Sequence, residues 1–250
     1  MTETPFVQYA VDGAVATLTL DSPHNRNALS RKLVTELFEG LTAAEADAAV
    51  RVILLRSADR VFCSGADLSE AATTPMEEGT RAIVELQRRI VASEKPVVVQ
   101  LDGPVRAGGT GIVAAADVCI ASEDAHFALT EVKLGVTPAI ISLTILPKMS
   151  SRGAALTFLG GEKFSAAEAA AYGLVTEAVP AERVADRVAE VCASLATGHP
   201  QGLRETKKLL NREVLAGIDA RGEELAQLSA RLFATDEARE AMMAFLTRST

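Results

Sequence analysis

The stretch GPVRAGGTGIVAAADV, Gly103–Val118, places three glycines, Gly108, Gly109 and Gly111, against the start of an alanine-rich apolar segment. Glycine is a poor helix former, so its concentration at a helix start needs a reason. One reason is tight packing of the helix against its neighbours. The other is a site lined by backbone, whose chemistry must be identified from other segments of the chain.

Two familiar glycine-rich motifs do not fit this stretch. A phosphate-binding P-loop ends in Gly-Lys-Ser/Thr, whereas Gly111 is followed by Ile112 and Val113. A dinucleotide-binding fingerprint needs a third glycine, and Ala114 stands at that position. The motif therefore indicates neither a nucleotide phosphate site nor a dinucleotide site of the usual kind.

The composition limits the class of protein. The chain has 250 residues, of which 48% are hydrophobic and only 4% aromatic, so we expect one large aliphatic core. The net charge of −8 and the lack of a basic patch argue against nucleic acid as a partner. The three cysteines are widely spaced, which indicates a reducing compartment without disulfides or a zinc site. The acidic N-terminus and the short, proline-containing apolar run predict a cytoplasmic protein without membrane insertion.

Strand and helix patterns alternate along the first part of the chain. The residues flanking Asp12-Gly13 alternate as in a β-hairpin, and Ser30 precedes a segment with helical apolar spacing. Thr74 with Glu77, and Ser165 with Glu168, have the spacing of capping boxes. After about residue 182 the pattern is nearly all helical, with separate helices expected over residues 202–214 and 221–234. We predict an α/β core over residues 1–195 and a helical region over 196–250, which covers the core or packs against another subunit.

Four segments together resemble the crotonase, or enoyl-CoA hydratase/isomerase, superfamily. They are PHNRNALS (residues 23–30), VFCSGADLSE (61–70), GPVRAGGTGIVAAADVCIAS (103–122) and FALTEVKLGVTPA (127–139). Their order and spacing agree with the family along nearly the whole chain. The resemblance implies a spiral of ββα turns, a helical C-terminal region and assembly into a homotrimer or hexamer. It also implies an acyl-CoA thioester as substrate, with coenzyme A as part of that substrate and no separate cofactor.

The resemblance gives the glycine-rich segment a chemical role. Reactions beside a thioester carbonyl develop negative charge on its oxygen, which two backbone N–H groups can stabilise. By resemblance these donors are the amides of Ala66 and Gly108, and a side chain at 108 would crowd the thioester. For coenzyme A itself, the resemblance points to a set of residues around two loops: Asn25, Arg26, Ala28, Ser64, Ala66, Asp67 and Leu68.

The acid–base residues depart from the common family pattern. Many family hydratases carry two glutamates, the first of them three residues after the oxyanion glycine, and here that position is Gly111. By resemblance Gly111 is predicted to contact the substrate, without acid–base function. The second glutamate is present as Glu131, in a segment that reads as a short strand and a turn, with Lys133 as its strand neighbour two residues on. Burial would raise the pKa of Glu131 toward the range useful for proton transfer, and a salt bridge with Lys133 is the structural alternative.

One glutamate is compatible with three functions. Our first choice is hydration of a 2-enoyl-CoA, because the family contains hydratases that use one glutamate at this position. Isomerisation of an enoyl-CoA double bond is the second choice. A non-catalytic acyl-CoA-binding protein is the third, favoured by Gly111 and opposed by the retained Glu131.

Arginine, cysteine and histidine side chains offer further candidates for site roles. Arg106 replaces the apolar residue that the family often has; it is either a contact for a carboxylate on a branched acyl group or, as we prefer, a surface or subunit-interface residue. Cys63 has no adjacent base and is read as a small buried residue. The three histidines lack metal-ligand spacing, so no metal site is predicted.

Overall fold

The computed structural model describes residues 4–67, 70 and 76–248, with side chains described up to residue 244. Leu68 of the predicted coenzyme A set and Thr74 of the predicted capping box lie outside these residues. The main sheet has six strands in the order β1-β2-β3-β4-β6-β9, and only the first pair is antiparallel. These strands are Val7–Asp12, Val15–Leu20, Val52–Ser57, Val97–Leu101, Val118–Ser122 and Glu177–Val179.

The first two strands form the expected hairpin. Asp12 pairs with Val15, and Gly13 between them has φ of 54°, a conformation that glycine adopts without strain. Strands β3 and β4 are almost completely buried, as expected for central parallel strands covered on both faces.

Three helices follow strands of the first half: α1 Arg31–Ala46, α2 Met76–Ala92 and α3 Gly108–Ala115. The predicted cap of α1 is confirmed, because the Ser30 side chain accepts a hydrogen bond from the N–H of Leu33. Helix α2 turns an apolar face to the core, where Leu86 and Ile90 are buried.

A second sheet has three strands in the order β5-β7-β8. The strands are Val105–Arg106, His126–Ala128 and Lys163–Ser165, with β5 parallel to β7 and β8 antiparallel to it. A 3₁₀ helix over Thr130–Leu134 follows β7 directly. Helices α4, Ala139–Lys148, and α5, Ser151–Gly160, then lead to β8.

The C-terminal part is helical, as predicted. Helix α6, Ala166–Tyr172, begins at the confirmed capping box of Ser165 and Glu168. It is followed by α7 Val184–Ala196, α8 Pro200–Phe233 and α9 Asp236–Arg248. The expectation of two separate helices within α8 is wrong: the helix continues through Gly217, because its packing against α2 and α4 outweighs the low helix propensity of one glycine.

Helix α8 is fixed to the core by a buried ion pair. Lys207 Nζ lies 2.8 Å from Oδ2 of Asp117 and donates to the carbonyls of Ile90 and Lys95. Asn211 donates to the other carboxylate oxygen of Asp117. The division of the chain at residue 195 stays a prediction, although α8 contributes residues to the same hydrophobic core as the sheet.

Candidate active site

The two loops predicted to bind coenzyme A are joined by hydrogen bonds. Asn25 Nδ2 donates to Oδ2 of Asp67 at 2.9 Å, and Ser64 Oγ donates to the carbonyl of Asn25 at 3.1 Å. The Ser64 N–H also donates to the carbonyl of Arg26. The structure therefore brings together residues that are about forty positions apart in the sequence.

Asn27 holds the first of these loops in shape and was not singled out from the sequence. Arg26 and Asn27 both have positive φ, at 57° and 53°. The buried Asn27 side chain accepts from the N–H of Ser22 and donates to the carbonyl of Val61. The signal that could have identified it is asparagine itself, which tolerates the left-handed region and hydrogen-bonds to nearby backbone.

The expected oxyanion donors are two free backbone N–H groups. In the described part of the chain, neither the Ala66 N–H nor the Gly108 N–H has a hydrogen-bond acceptor. Gly108 is the first residue of α3, where the helix leaves its N–H groups unpaired and places the positive end of its dipole. Both groups are therefore available to an oxygen acceptor.

The two donor segments are in direct contact. A Cβ placed on Gly65 would lie 3.0 Å from Cβ of Ala107 and 3.9 Å from the Gly108 nitrogen. Gly65 itself has φ of 102°, which L side chains rarely adopt. At Gly108 a Cβ would lie 2.8 Å from Cδ1 of Leu29, so a side chain there would displace the end of that leucine. Close packing and unpaired N–H groups thus coexist here: the packing interpretation of the glycine cluster is confirmed, and the site lined by backbone stays a prediction.

Glu131 does not lie on a strand, as the sequence interpretation had it, but in the first turn of the 3₁₀ helix after β7. Its side chain is 9% exposed, and its Oε2 atom is buried without a hydrogen-bond partner among the described residues. Burial raises the pKa of this carboxyl to about 7. A carboxyl with that pKa can both accept and return a proton near neutral pH.

The alternative role for Glu131, a salt bridge to Lys133, is excluded by the geometry. Lys133 Nζ lies 2.7 Å from Oε1 of Glu162 on the protein surface. The ion pairs formed by the described residues include none to Glu131. Its carboxyl is therefore buried without a compensating cation.

Pairing of β5 with β7 brings the segments of Gly108 and Glu131 to the same edge of the three-stranded sheet. Strands β5 and β7 are parallel neighbours, with Arg106 opposite Ala128. Gly108 follows β5 and Glu131 follows β7 after a few residues, so both leave the sheet at the carboxyl ends of the strands. Ligands of α/β proteins commonly bind at such an edge.

Gly111 does not face an open space. A Cβ at this position would lie 2.8 Å from both Oε1 of Gln87 and Cγ2 of Ile141. Gln87 is fully buried; it donates to the carbonyls of Ile83 and Ile140 and accepts from the hydroxyl of Thr144. The space beside the usual first glutamate position is thus filled by a hydrogen-bonded glutamine. A substrate contact by Gly111 stays a prediction. The direction in which a Gly111 side chain would point is occupied by Gln87 and Ile141.

Arg106 is a half-buried cation. Its Nη1 atom donates to the carbonyls of Val105 and His126, and the ion pairs found among the described residues do not include it. Its side chain reaches back along β7 to His126, away from the edge where Glu131 lies. This placement fits the preferred surface or interface role better than a contact with an acyl group near the reaction centre.

The remaining candidates do not add a reactive group. Cys63 is fully buried, and burial raises the pKa of its thiol to about 12, so it is not an activated nucleophile. Across residues 4–67, 70 and 76–248, His, Cys, Asp and Glu side chains form no group of three that could hold a metal ion. Nor does any helix in these ranges have the length and apolar character needed to cross a bilayer.

Comparisons with known proteins identify the family. Residues 10–250 match the family model described as enoyl-CoA hydratase/isomerase. The 2,3-dehydroadipyl-CoA hydratase of Escherichia coli K12 is 30% identical over 94% of this chain and 93% of its own length. The 1,2-epoxyphenylacetyl-CoA isomerase of the same organism is 30% identical over 82% of each chain.

The fold comparison gives the same result. The crystal structure of an enoyl-CoA hydratase from Mycobacterium avium superposes with a TM-score of 0.92 at 46% identity, over 98% of each chain. The expected crotonase-like α/β fold with a helical C-terminal region is confirmed by this similarity. The match to the family model over residues 10–250, together with the similar fold, shows that this chain belongs to the enoyl-CoA hydratase/isomerase family.

Proposed function

We propose that this enzyme adds water to a 2-enoyl-CoA thioester. The observation that carries the proposal is the combination of Glu131, a buried carboxyl with an unpartnered oxygen, and two unpaired backbone N–H groups at Ala66 and Gly108. The N–H groups bind the thioester oxygen and stabilise the enolate-like state. Asn25, Arg26, Ala28, Ser64, Asp67 and Leu68 are proposed to line the coenzyme A path.

A single carboxyl group can make both proton transfers that hydration requires. Ionised Glu131 takes a proton from water, and the resulting hydroxide oxygen bonds to C3 of the enoyl group. The electron pair of the C2–C3 double bond moves onto the thioester oxygen, where Ala66 and Gly108 stabilise it. Protonated Glu131 then returns its proton to C2, so that one water molecule has been added and the carboxylate is restored.

Isomerisation of a double bond is the second candidate, and Gly111 favours it. Gln87 and Ile141 fill the space in which a second carboxylate would stand, so water must be activated by Glu131 alone. A 1,3 proton shift needs no water: Glu131 removes a proton from one carbon and returns it to another. One relative is named as an isomerase of 1,2-epoxyphenylacetyl-CoA, a different isomerisation of an acyl-CoA.

We also propose that the enzyme works as a homotrimer or hexamer, with an acyl-CoA as its small-molecule partner. Large apolar side chains are exposed on the helices: Leu156, Leu159, Leu209 and Leu210 are 65–77% exposed. Contacts between copies would remove them from water. The three free cysteines support a cytoplasmic location.

The test is an absorbance assay with a panel of enoyl-CoA thioesters, followed by mass analysis of the products. Hydration predicts loss of the conjugated absorbance and a product heavier by one water. A product of unchanged mass with a shifted double bond would show that the enzyme is an isomerase and not a hydratase. Tight binding without any product, under conditions where a known hydratase reacts, would show a non-catalytic acyl-CoA-binding protein.

A further inference from the structure

Ala107, the residue before Gly108, has a backbone conformation that alanine rarely adopts. Its φ is 43° and its ψ is −120°, a combination normally left to glycine. Residues held in such conformations concentrate at functional sites, where the surrounding structure maintains the strain. The mechanism described above does not use Ala107.

The conformation of Ala107 controls the direction of the Gly108 N–H. The peptide plane between the two residues turns with ψ of Ala107, and this plane carries the N–H group. The N–H of Thr110 donates to the Ala107 carbonyl, whereas the N–H of Gly108, the first residue of α3, has no acceptor among the described residues. The backbone of Ala107 therefore sets the direction of an unpaired N–H group.

The Ala107 methyl group connects the two donor segments. It lies 3.0 Å from the position that a Cβ on Gly65 would occupy, and Gly65 precedes the second donor, Ala66. The carbonyl of Arg106 lies 3.7 Å from the same position. The methyl group therefore fixes how closely the loop at residue 65 approaches the start of α3.

We propose that Ala107 is a positioning residue, which sets the Gly108 N–H at the angle and distance from the Ala66 N–H that a thioester oxygen requires. This inference rests on the proposed acyl-CoA function. Substitution with glycine permits the same backbone conformation and many others, so the strain is released and the fixed approach of the two segments is lost. Ala107→Gly should then be as stable as the wild type or more so, and yet slower.

The experiment compares wild type, Ala107→Gly and Ala116→Gly. Ala116 is buried at the far end of α3 with an ordinary φ of −69°, so its glycine variant removes a methyl group without affecting either donor. The first readout is turnover with the enoyl-CoA that the assay above identifies. Because small displacements of catalytic groups have large effects on rate, we expect kcat of Ala107→Gly to fall about tenfold, with KM little changed.

The second readout is the absorbance of a bound aryl enoyl thioester, cinnamoyl-CoA. Strong hydrogen bonds to the thioester oxygen shift this absorbance to longer wavelength, independently of turnover. We expect a smaller shift for Ala107→Gly and the wild-type shift for Ala116→Gly, with thermal unfolding measured for all three. A wild-type shift and wild-type kcat in Ala107→Gly would overturn the inference alone. A wild type that binds no enoyl-CoA would overturn the proposed function and this inference with it.

Discussion

Gln87 occupies the space beside Gly111: a Cβ on Gly111 would lie 2.8 Å from Oε1 of the buried Gln87 side chain. The glutamine comes from α2, and its amide is held by Thr144 and by two backbone carbonyls. The space beside Gly111 is therefore not empty. The neutral amide of Gln87 fills it.

This packing makes Gly111 intolerant of even a methyl group. Gly111→Ala should lower the free energy of unfolding by about 1–3 kcal/mol, the usual effect of overpacking a filled core. Gly79→Ala in α2 is the matched control, because a Cβ there meets nothing within 4 Å. It should raise stability by about 0.5–1 kcal/mol through helix propensity. Urea unfolding of the two variants measures both effects, and equal stabilities would contradict the packing argument.

A second carboxylate can be introduced only together with space for it. Gly111→Glu alone should unfold more easily than the wild type without becoming a faster hydratase. Combining it with Gln87→Ala removes the clashing amide, so the double variant should regain part of the lost stability. Unfolding of both single variants and the double variant gives the coupling between the two positions. Strictly additive effects would show that the two side chains do not compete for one space.

Glu131→Gln tests the acid–base residue. Gln has nearly the same shape but cannot accept the reacting proton, so turnover should fall by about 10²–10⁴-fold with acyl-CoA affinity nearly unchanged. Glu162→Gln is the matched control, since Glu162 is an exposed carboxylate paired with Lys133. Turnover and affinity are compared for the three proteins, with melting curves to exclude misfolding. If folded Glu131→Gln turned over as fast as the wild type, Glu131 would not be the acid–base residue.

The pKa of Glu131 predicts the pH dependence of hydration. The reaction as proposed begins with the carboxylate, and burial raises the pKa of this group to about 7. Because kcat/KM follows ionisation of the free enzyme, it should rise as the pH increases through about 7 and then level off. The rising limb should be absent from the residual activity of Glu131→Gln. A profile that is flat from pH 5 to 8 in the wild type would contradict a role for ionised Glu131 as the base.

The same pKa also has a consequence for stability. Because the folded-state pKa of Glu131 is raised, its contribution to stability is fully present below the ordinary value of 4.5 and is lost as the pH rises through about 7. The change corresponds to roughly 3 kcal/mol at 1.36 kcal/mol per pH unit. Glu131→Gln does not ionise, so its stability relative to wild type should improve by up to that amount between pH 4 and pH 8. Urea unfolding at both pH values measures the difference, and a constant difference would show that Glu131 is not buried as described.

The ion pair beneath α8 is expected to be essential for stability and not for chemistry. Lys207→Met leaves Asp117, which is 16% exposed and still accepts from Asn211, without its cation; we expect a loss of stability below the about 3–5 kcal/mol typical of a fully buried pair. Lys208→Met removes an exposed neighbour that is 54% accessible, and we expect a change of less than about 1 kcal/mol. Denaturant unfolding compares the two. A Lys207→Met variant as stable as Lys208→Met would show that the pair does not hold the helix.

Much of the fold and part of the site could be predicted from the sequence. The hairpin around Gly13, the serine cap of α1 and the capping box of α6 depend on residues close to one another in the chain. The family resemblance directed attention to Ala66, Gly108 and Glu131. The hairpin and the caps are confirmed because their signals, turn residues and capping side chains, are local. The catalytic roles of Ala66, Gly108 and Glu131 stay predictions.

Other features of the site were decided by tertiary structure alone. The sequence places Lys133 two residues from Glu131 as a possible partner, but Lys133 pairs with Glu162. It left Gly111 facing a possible substrate, but Gln87 fills that space from a different helix. The sequence thus determined which groups are available and how the backbone begins and ends its elements. Which side chain fills a space, and whether a carboxyl finds a cation or is buried without one, depends on elements distant in sequence that meet only when the chain is packed.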